Sequence, residues 1–362
     1  MDLSDRIAGF ARLGEFLKEA LHEAPEIFPG PESPPEVFFK NRALSEVSVK
    51  AREANPWFVH AFNHCSLAEI GHLLERRNLE KWTSRYPFPG LHPENTAVVG
   101  TILAGNIPLV GFHDFLSILI SGHRFKGKLS GKDEKLLPFL AGKLIEFEPR
   151  FGECIRFEDS KLGGIDAIIA TGSDNSSRYF EHYFGKYPHI FRKNRNGIAV
   201  LTGRESQEEL DRLSEDVFLF FGLGCRNVSK LYVPEGYSFD PFYRAVETCR
   251  TVIDHHKYAN NYQYHRSVYL MNRIEHLDNG FLLLRPDPAL SSPVGTLHYT
   301  CYSRPEDLIH ELQNLNDSIQ CIASHDLTGI SSVAFGATQH PELWDYADGV
   351  DTLKFLINLY EN

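Results

Sequence analysis

From Thr96 onward the chain alternates short apolar runs with helical stretches, and this restricts the possible folds more than any other feature. Ala97–Leu103 reads as a buried strand ended by Gly105-Asn106-Ile107-Pro108. Pro108 suits the first turn of a helix running to about Ser121 and closed by Gly122. Arg124–Leu129 is a short strand, Lys132–Phe147 a helix, Ile165–Ala170 a buried strand, Ser173–Phe184 a helix and Gly197–Leu201 a fourth strand. Strands and helices in this order predict an α/β fold, a parallel sheet wrapped on both faces. Ligands of such sheets bind beyond the carboxyl ends of the strands.

Upstream, an amphipathic helix over Arg6–His22 precedes a stretch rich in proline (Pro25, Pro29, Pro31, Pro34, Pro35) that must be extended loop. Helices resume over Leu44–Arg52 and Ser66–Trp82. The length of 362 residues suggests two domains. A boundary near Gly203 gives residues 1–203 as a helical region plus nucleotide-binding domain, and 204–362 as a second domain with the tail. Strand-like runs in that second half are Lys230–Val233, Val268–Met271, Phe281–Leu284 and Leu297–Cys301, with a helix over Phe242–His256.

Composition is that of an ordinary soluble protein, 42% hydrophobic and 23% charged. The net charge of −11 disfavours non-specific nucleic-acid binding through the phosphate backbone. Six scattered cysteines without a CxxC pair give neither a zinc site nor a disulfide scaffold, and fit a reducing cytoplasm. The N-terminus lacks an export signal, and no apolar run is long enough for a transmembrane segment. Seventeen histidines include the pair His255-His256, with no accompanying ligand set, so they are not read as metal ligands.

Cys225 sits in Gly222-Leu223-Gly224-Cys225-Arg226-Asn227-Val228-Ser229-Lys230. A helical stripe (Leu210, Leu213, Val217, Phe220, Phe221), opened by a Ser206/Glu209 capping box, runs up to it, and two glycines end that helix. Val228–Val233 then alternates as a strand. The thiol thus lies on a tight helix-to-strand turn, with Arg226 beside it and Lys230 near. A cation there raises the thiolate fraction a nucleophile needs; a small buried cysteine is the plainer reading.

Three further corners carry weaker signals. Thr171-Gly172-Ser173 suits a pyrophosphate at a helix N-terminus, or a plain serine cap. Lys128 and Ser130, at the end of the second strand, suit an adenosine ribose or its 2′-phosphate, or are simply solvated. Asn106 suits a developing oxyanion, or a helix cap. No GxGxxG, P-loop or GxSxG is present.

In this order the motifs resemble the aldehyde dehydrogenase superfamily. The closer resemblance is to the LuxC-like fatty acyl-CoA reductases, through Asn55-Pro56-Trp57-Phe58, Lys81-Trp82-Thr83-Ser84-Arg85-Tyr86-Pro87, the cysteine block and Asp348-Gly349-Val350-Asp351-Thr352. The resemblance implies a Rossmann-type nucleotide-binding domain with a second α/β catalytic domain, in a homodimer. It implies Cys225 as nucleophile and Asn106 as oxyanion donor. It also implies Lys128, Ser130, Thr171, Gly172 and Ser173 as contacts of NADPH (NADH being the other option), with an acyl-CoA as substrate.

Two departures stand out. Hydrolytic aldehyde dehydrogenases carry a glutamate base after the Thr-Gly-Ser helix, whereas Phe191-Arg192-Lys193-Asn194-Arg195-Asn196-Gly197 has no carboxylate. The family's Glu-x-Phe-Gly-Pro clamp on the nicotinamide ribose is reduced to Ala289-Leu290-Ser291-Ser292-Pro293. Losing a base that activates water suits an enzyme that must keep an acyl-thioester intact until hydride arrives. An oxidative aldehyde dehydrogenase and a non-catalytic binding protein of the same fold are the competing expectations. Twenty-six phenylalanines and fifteen tyrosines could line a lipid tunnel, but core is the commoner use.

Overall fold

The computed structural model describes residues 1–23, 30–88, 96–159, 161–172, 174–325, 327 and 329–360. Pro25, Pro29 and Ser173 fall outside the described residues. The chain forms two units, one of Met1–Ala24, Pro34–Asn194 and Glu342–Asn362, the other of Pro25–Ser33 and Arg195–Pro341.

The first unit runs α1 (Leu3–Ala20), α2 (Arg42–Ala54), α3 (His60–Leu73), α4 (Arg76–Thr83), β1 (Val98–Ile102), α5 (Phe112–Ser121), β2 (Arg124–Lys128), α6 (Leu136–Phe147), β3 (Ile155–Phe157), β4 (Ala167–Thr171), α7 (Asp174–Phe184) and β5 (His189–Arg192). Its five strands are all parallel, in the order β3-β2-β1-β4-β5. That order is the one expected of a doubly wound nucleotide-binding sheet, and it sets the loops after β2, β1 and β4 side by side at one edge. Phe115 of α5 meets Phe125 of β2 edge-on at 5.0 Å, and Phe10 of α1 meets Phe151 at 5.4 Å. Burial of each such ring is worth about 1.5–3 kcal/mol. The helix expected over Ser66–Trp82 is two helices, α3 and α4, broken at Leu74-Glu75.

The second unit runs β6 (Asn196–Val200), α8 (Gln207–Phe218), β7 (Val228–Pro234), α9 (Asp240–Val246), α10 (His256–Met271), β8 (Leu277–Asp278), β9 (Leu283–Pro286), β10 (Thr296–Tyr302), α11 (Pro305–Asn314) and β11 (Ile319–Ser324). Its sheet has the order β11-β6-β7-β10-β9-β8, parallel except for the β8–β9 pair. The strand expected at Gly197–Leu201 therefore belongs here, paired with β7 and β11, and the chain divides at Asn194/Arg195 instead of near Gly203. Val268–Met271, expected as strand, is the last turn of α10. Tyr258, Tyr262 and Tyr269, spaced near multiples of the helical repeat, are that helix's buried residues.

The tail also departs from expectation. α12 (Thr352–Asn358) belongs to the first unit, where the Leu356 carbonyl meets His123 Nε2 at 2.8 Å and Tyr360 donates to the Ser121 carbonyl at 2.8 Å. Arg192, at the end of β5, is buried and donates to Asp114 Oδ2 at 2.6 Å and to Thr352 Oγ1 at 2.9 Å. Breaking a buried ion pair from one side leaves an uncompensated charge. Asp114→Ala is therefore expected to lose about 3–5 kcal/mol. Urea unfolding measures this, and a variant as stable as the wild type would refute the role given to the pair.

Candidate active site

The thiol turn is built from α8 outward. Ser206 and Glu209 form the reciprocal capping box: Ser206 Oγ accepts from the Glu209 amide at 3.2 Å, and Glu209 Oε2 accepts from the Ser206 amide at 2.8 Å. α8 buries Leu210, Leu213 and Val217, then ends earlier than expected, at Phe218. Phe220 and Phe221 follow in the left-handed region at φ 54° and 56°, and Gly222 joins them at φ 72°. Two successive phenylalanines there store strain of about 1–3 kcal/mol each, which persists only where packing enforces it. Here Phe221 is buried and stacks on His255, ring centres 4.5 Å apart.

Asn227 closes the turn. Its Oδ1 accepts the Gly224 amide at 2.8 Å, and its Nδ2 donates to the carbonyls of Asp216 (3.0 Å) and Leu219 (2.8 Å). Arg226 Nε donates to the Thr338 carbonyl at 2.7 Å. Asp216 is fully buried; its carboxylate takes the Gly336 amide at 2.7 Å and the Thr338 amide and hydroxyl at 3.0 and 2.6 Å. Cys225 itself is exposed. By contrast, burial pushes the thiols of Cys249 and Cys321 up to about 12, with Arg226 pulling Cys321 the other way.

Lys230 does not serve the thiol. It is buried, and its ammonium donates to the carbonyls of Asp287 (3.1 Å) and Pro288 (2.7 Å). Ser229 donates to the Leu290 carbonyl at 2.8 Å. Two neighbouring residues of β7 thus fasten the segment that leads into Ala289–Pro293.

In the first unit, Asn106, Lys128, Ser130, Thr171 and Gly172 all lie at the carboxyl edge of the sheet. Asn106 is exposed; Lys128, Ser130, Thr171 and Gly172 are half-buried. The helix expected from Pro108 begins only at Phe112, because Leu109 turns left-handed at φ 59°, while Gly122 closes it at φ 95° as expected. A Cβ on Gly105 would lie 2.7 Å from Ser130 Oγ, and one on Gly172 would lie 2.8 Å from the Ser176 Cβ. Glycine lets the Gly105 corner approach the Ser130 loop, and lets the chain at Gly172 pass close to the first turns of its own helix α7. A lysine, a serine hydroxyl and close main chain at this edge are a donor set that fits a nucleotide's ribose and phosphates.

Sequence reasoning missed Asp216, Asn227, Thr338 and Asp133. Asp133, eight per cent exposed, accepts the Leu109 amide at 2.9 Å. Lying just ahead of α6, it would read from sequence as an ordinary cap. Burial raises its carboxyl to about 7. Between about pH 4 and that value the folded protein holds a proton the unfolded chain has released, so this group's contribution to stability falls as pH rises through the window. Asp133→Asn is expected to flatten that part of the stability–pH profile, followed by urea unfolding at successive pH values; an unchanged slope would contradict it.

No protein-family model and no curated protein matches the sequence. Solved structures do. An NAD-dependent aldehyde dehydrogenase from Sinorhizobium meliloti aligns with a TM-score of 0.64 at 13% identity, over 90% of this chain and 70% of its own. Indole-3-acetaldehyde dehydrogenase from P. syringae, a cysteine-to-alanine mutant in complex with NAD+ and IAA, aligns at 0.62 and 12%, over 90% and 72%. Aldehyde dehydrogenase C from Pseudomonas syringae, a similar mutant complexed with NAD+ and octanal, aligns at 0.61 and 11%, over 90% and 73%. At these identities the likeness establishes the fold: this chain has the two-unit aldehyde dehydrogenase architecture, a Rossmann-type sheet and a second α/β unit carrying Cys225.

Proposed function

We propose that this protein is an acyl-CoA reductase that converts an acyl-CoA thioester to an aldehyde through an acyl-enzyme on Cys225. The observation that carries the proposal is an exposed thiol on a hydrogen-bonded turn of this fold, combined with a segment 191–197 that has no carboxylate. The two arginines of that segment have structural partners. Arg192 pairs with Asp114, and Arg195 donates to the carbonyls of Asn316 (3.3 Å) and Ile319 (3.4 Å).

In this reaction the Cys225 thiolate attacks the thioester carbonyl, the C–S bond to CoA breaks, and CoA leaves as a thiolate. Asn106 and the Cys225 amide donate to the tetrahedral oxyanion. When bound, the nicotinamide cofactor supplies the hydride that reduces the acyl carbon. Collapse of the resulting thiohemiacetal alkoxide breaks the bond to Cys225, regenerates its thiolate and frees the aldehyde. Lys128, Ser130, Thr171, Gly172 and Ser173 are the cofactor contacts in this reading, with NADPH the first choice because a lysine ends the second strand. The NAD+ and octanal bound to the solved structures support a nicotinamide cofactor and an aliphatic carbonyl substrate.

The test is NADPH consumption across a panel of acyl-CoA chain lengths, with aldehyde identified as product. Cys225→Ala is expected to abolish turnover, and Asn106→Ala to lower kcat by about 10²–10³. Aldehyde oxidation with NAD(P)+ in the absence of CoA, faster than thioester reduction, would replace this reading with the oxidative one. No turnover in either direction by a folded protein would point to a non-catalytic member of the fold.

A further inference from the structure

The corner that carries Asn106 is held from outside by the side chain of Asp133. After β1, the Leu103 amide still pairs with the Lys128 carbonyl at 3.1 Å, and the chain then bends at Gly105, pressed against Ser130. Asn106 stands exposed at the bend. Three residues later Leu109 takes a left-handed conformation at φ 59°. For a residue with a Cβ this costs about 1–2 kcal/mol. Its amide points at Asp133 Oδ2, 2.9 Å away. Asp133 is pinned in turn, since its own amide donates to the Ser130 carbonyl at 2.9 Å, and the intervening Lys132 carbonyl accepts from Asn55 Nδ2 at 3.3 Å.

The choice of a carboxyl here is expensive. Oδ1 of Asp133 is buried with no hydrogen-bond partner among the described residues. A buried carboxylate that receives one amide is poorly compensated, and its raised titration point reflects this. A group kept at such a cost to stability, on the loop next to Lys128 and Ser130, is better explained by what it holds than by what it stabilises. We propose that Asp133 is a positioning residue: through the Leu109 amide it fixes the Asn106 corner, and it ties that corner to the Lys128–Ser130 loop. The inference rests on Asn106 acting as the oxyanion donor of the reaction proposed above. A ligand settling on Lys128 and Ser130 then bears on the same short loop that sets Asn106.

Asp133→Ala and Asp133→Asn test this in the full chain, each checked by circular dichroism. Asp133→Ala removes the acceptor; Asp133→Asn keeps one. With Asp133→Ala, kcat is expected to fall by about 10–100-fold, as misplacement by an ångström does, while KM for NADPH stays within about threefold. Amide hydrogen exchange in residues 103–111 is expected to quicken. Asp133→Asn is expected to restore most of kcat and of the protection. A folded Asp133→Ala with wild-type kcat would overturn the proposal, as would an Asp133→Asn that loses as much as the alanine. If the wild type turns over neither thioester nor aldehyde, the functional reading fails on its own, and exchange still decides the link: unchanged protection in Asp133→Ala would refute it.

Discussion

The carboxylate of Asp216 is the anchor from which the thiol turn is built. A fully buried carboxylate is costly unless donors surround it, and here the Gly336 amide and the Thr338 amide and hydroxyl converge on it. Burial still lifts its proton affinity against those donors. The same helical turn offers its Asp216 carbonyl to Asn227, and the Thr338 carbonyl takes Arg226. A closed ring of hydrogen bonds thus runs from α8 to the 336–338 loop, to Arg226 and Asn227, and back. Within it two phenylalanines can hold left-handed geometry, since any relaxation would break several of these bonds at once. Within the ring Cys225 is left exposed.

The carboxyl edge of the first sheet follows another rule. Parallel strands in the order β3-β2-β1-β4-β5 deliver their following loops to one side, where Gly105 lets the loop after β1 close on Ser130 and Gly172 lets the chain after β4 enter α7 tightly. Two of the blocks singled out in the sequence, 81–87 and 348–352, pack on one another. Trp82 Nε1 donates to the Tyr346 hydroxyl at 2.7 Å, which lies 2.7 Å from the Tyr86 hydroxyl, and Tyr86 donates to Asp351 at 2.9 Å. Lys81 and Arg85 each stand 4.1 Å from the centre of the Trp344 ring. A motif near residue 85 and another near residue 350 are therefore two halves of one hydrogen-bonded contact, which fastens the tail to the helical region.

Much of this was legible in the sequence because it depends on local periodicity. The Ser206/Glu209 box, the buried strands and the glycine after α5 were all read from neighbours in the chain. What was missed depends on partners far away. Whether Asn196–Val200 joins one sheet or the other is a matter of pairing, and its composition suits both. Lys230 reads as a cation near a thiol; only the strand's alternation and the carbonyls of Asp287 and Pro288 turn it inward. Val268–Met271 is rich in β-formers but completes a helix whose tyrosines supply the buried contacts. Asp133 and Asp216 look like surface carboxylates until the loops they hold are in place.

The segment 191–197 brings these strands of argument together. Residues 191–197 carry three cations, Arg192, Lys193 and Arg195, and no carboxylate. Arg192 is buried against Asp114 and Thr352, and the Lys193 amide donates to Asp348 at 3.3 Å. Arg195 holds the carbonyls that lead into β11. Asp348 is the tail's carboxylate at this segment, and it is held at φ 59° by the 347–349 turn with an amide on one oxygen. The segment between β5 and β6 is thus held at both ends, in one unit through the Arg192 side chain and the Lys193 amide and in the other through Arg195.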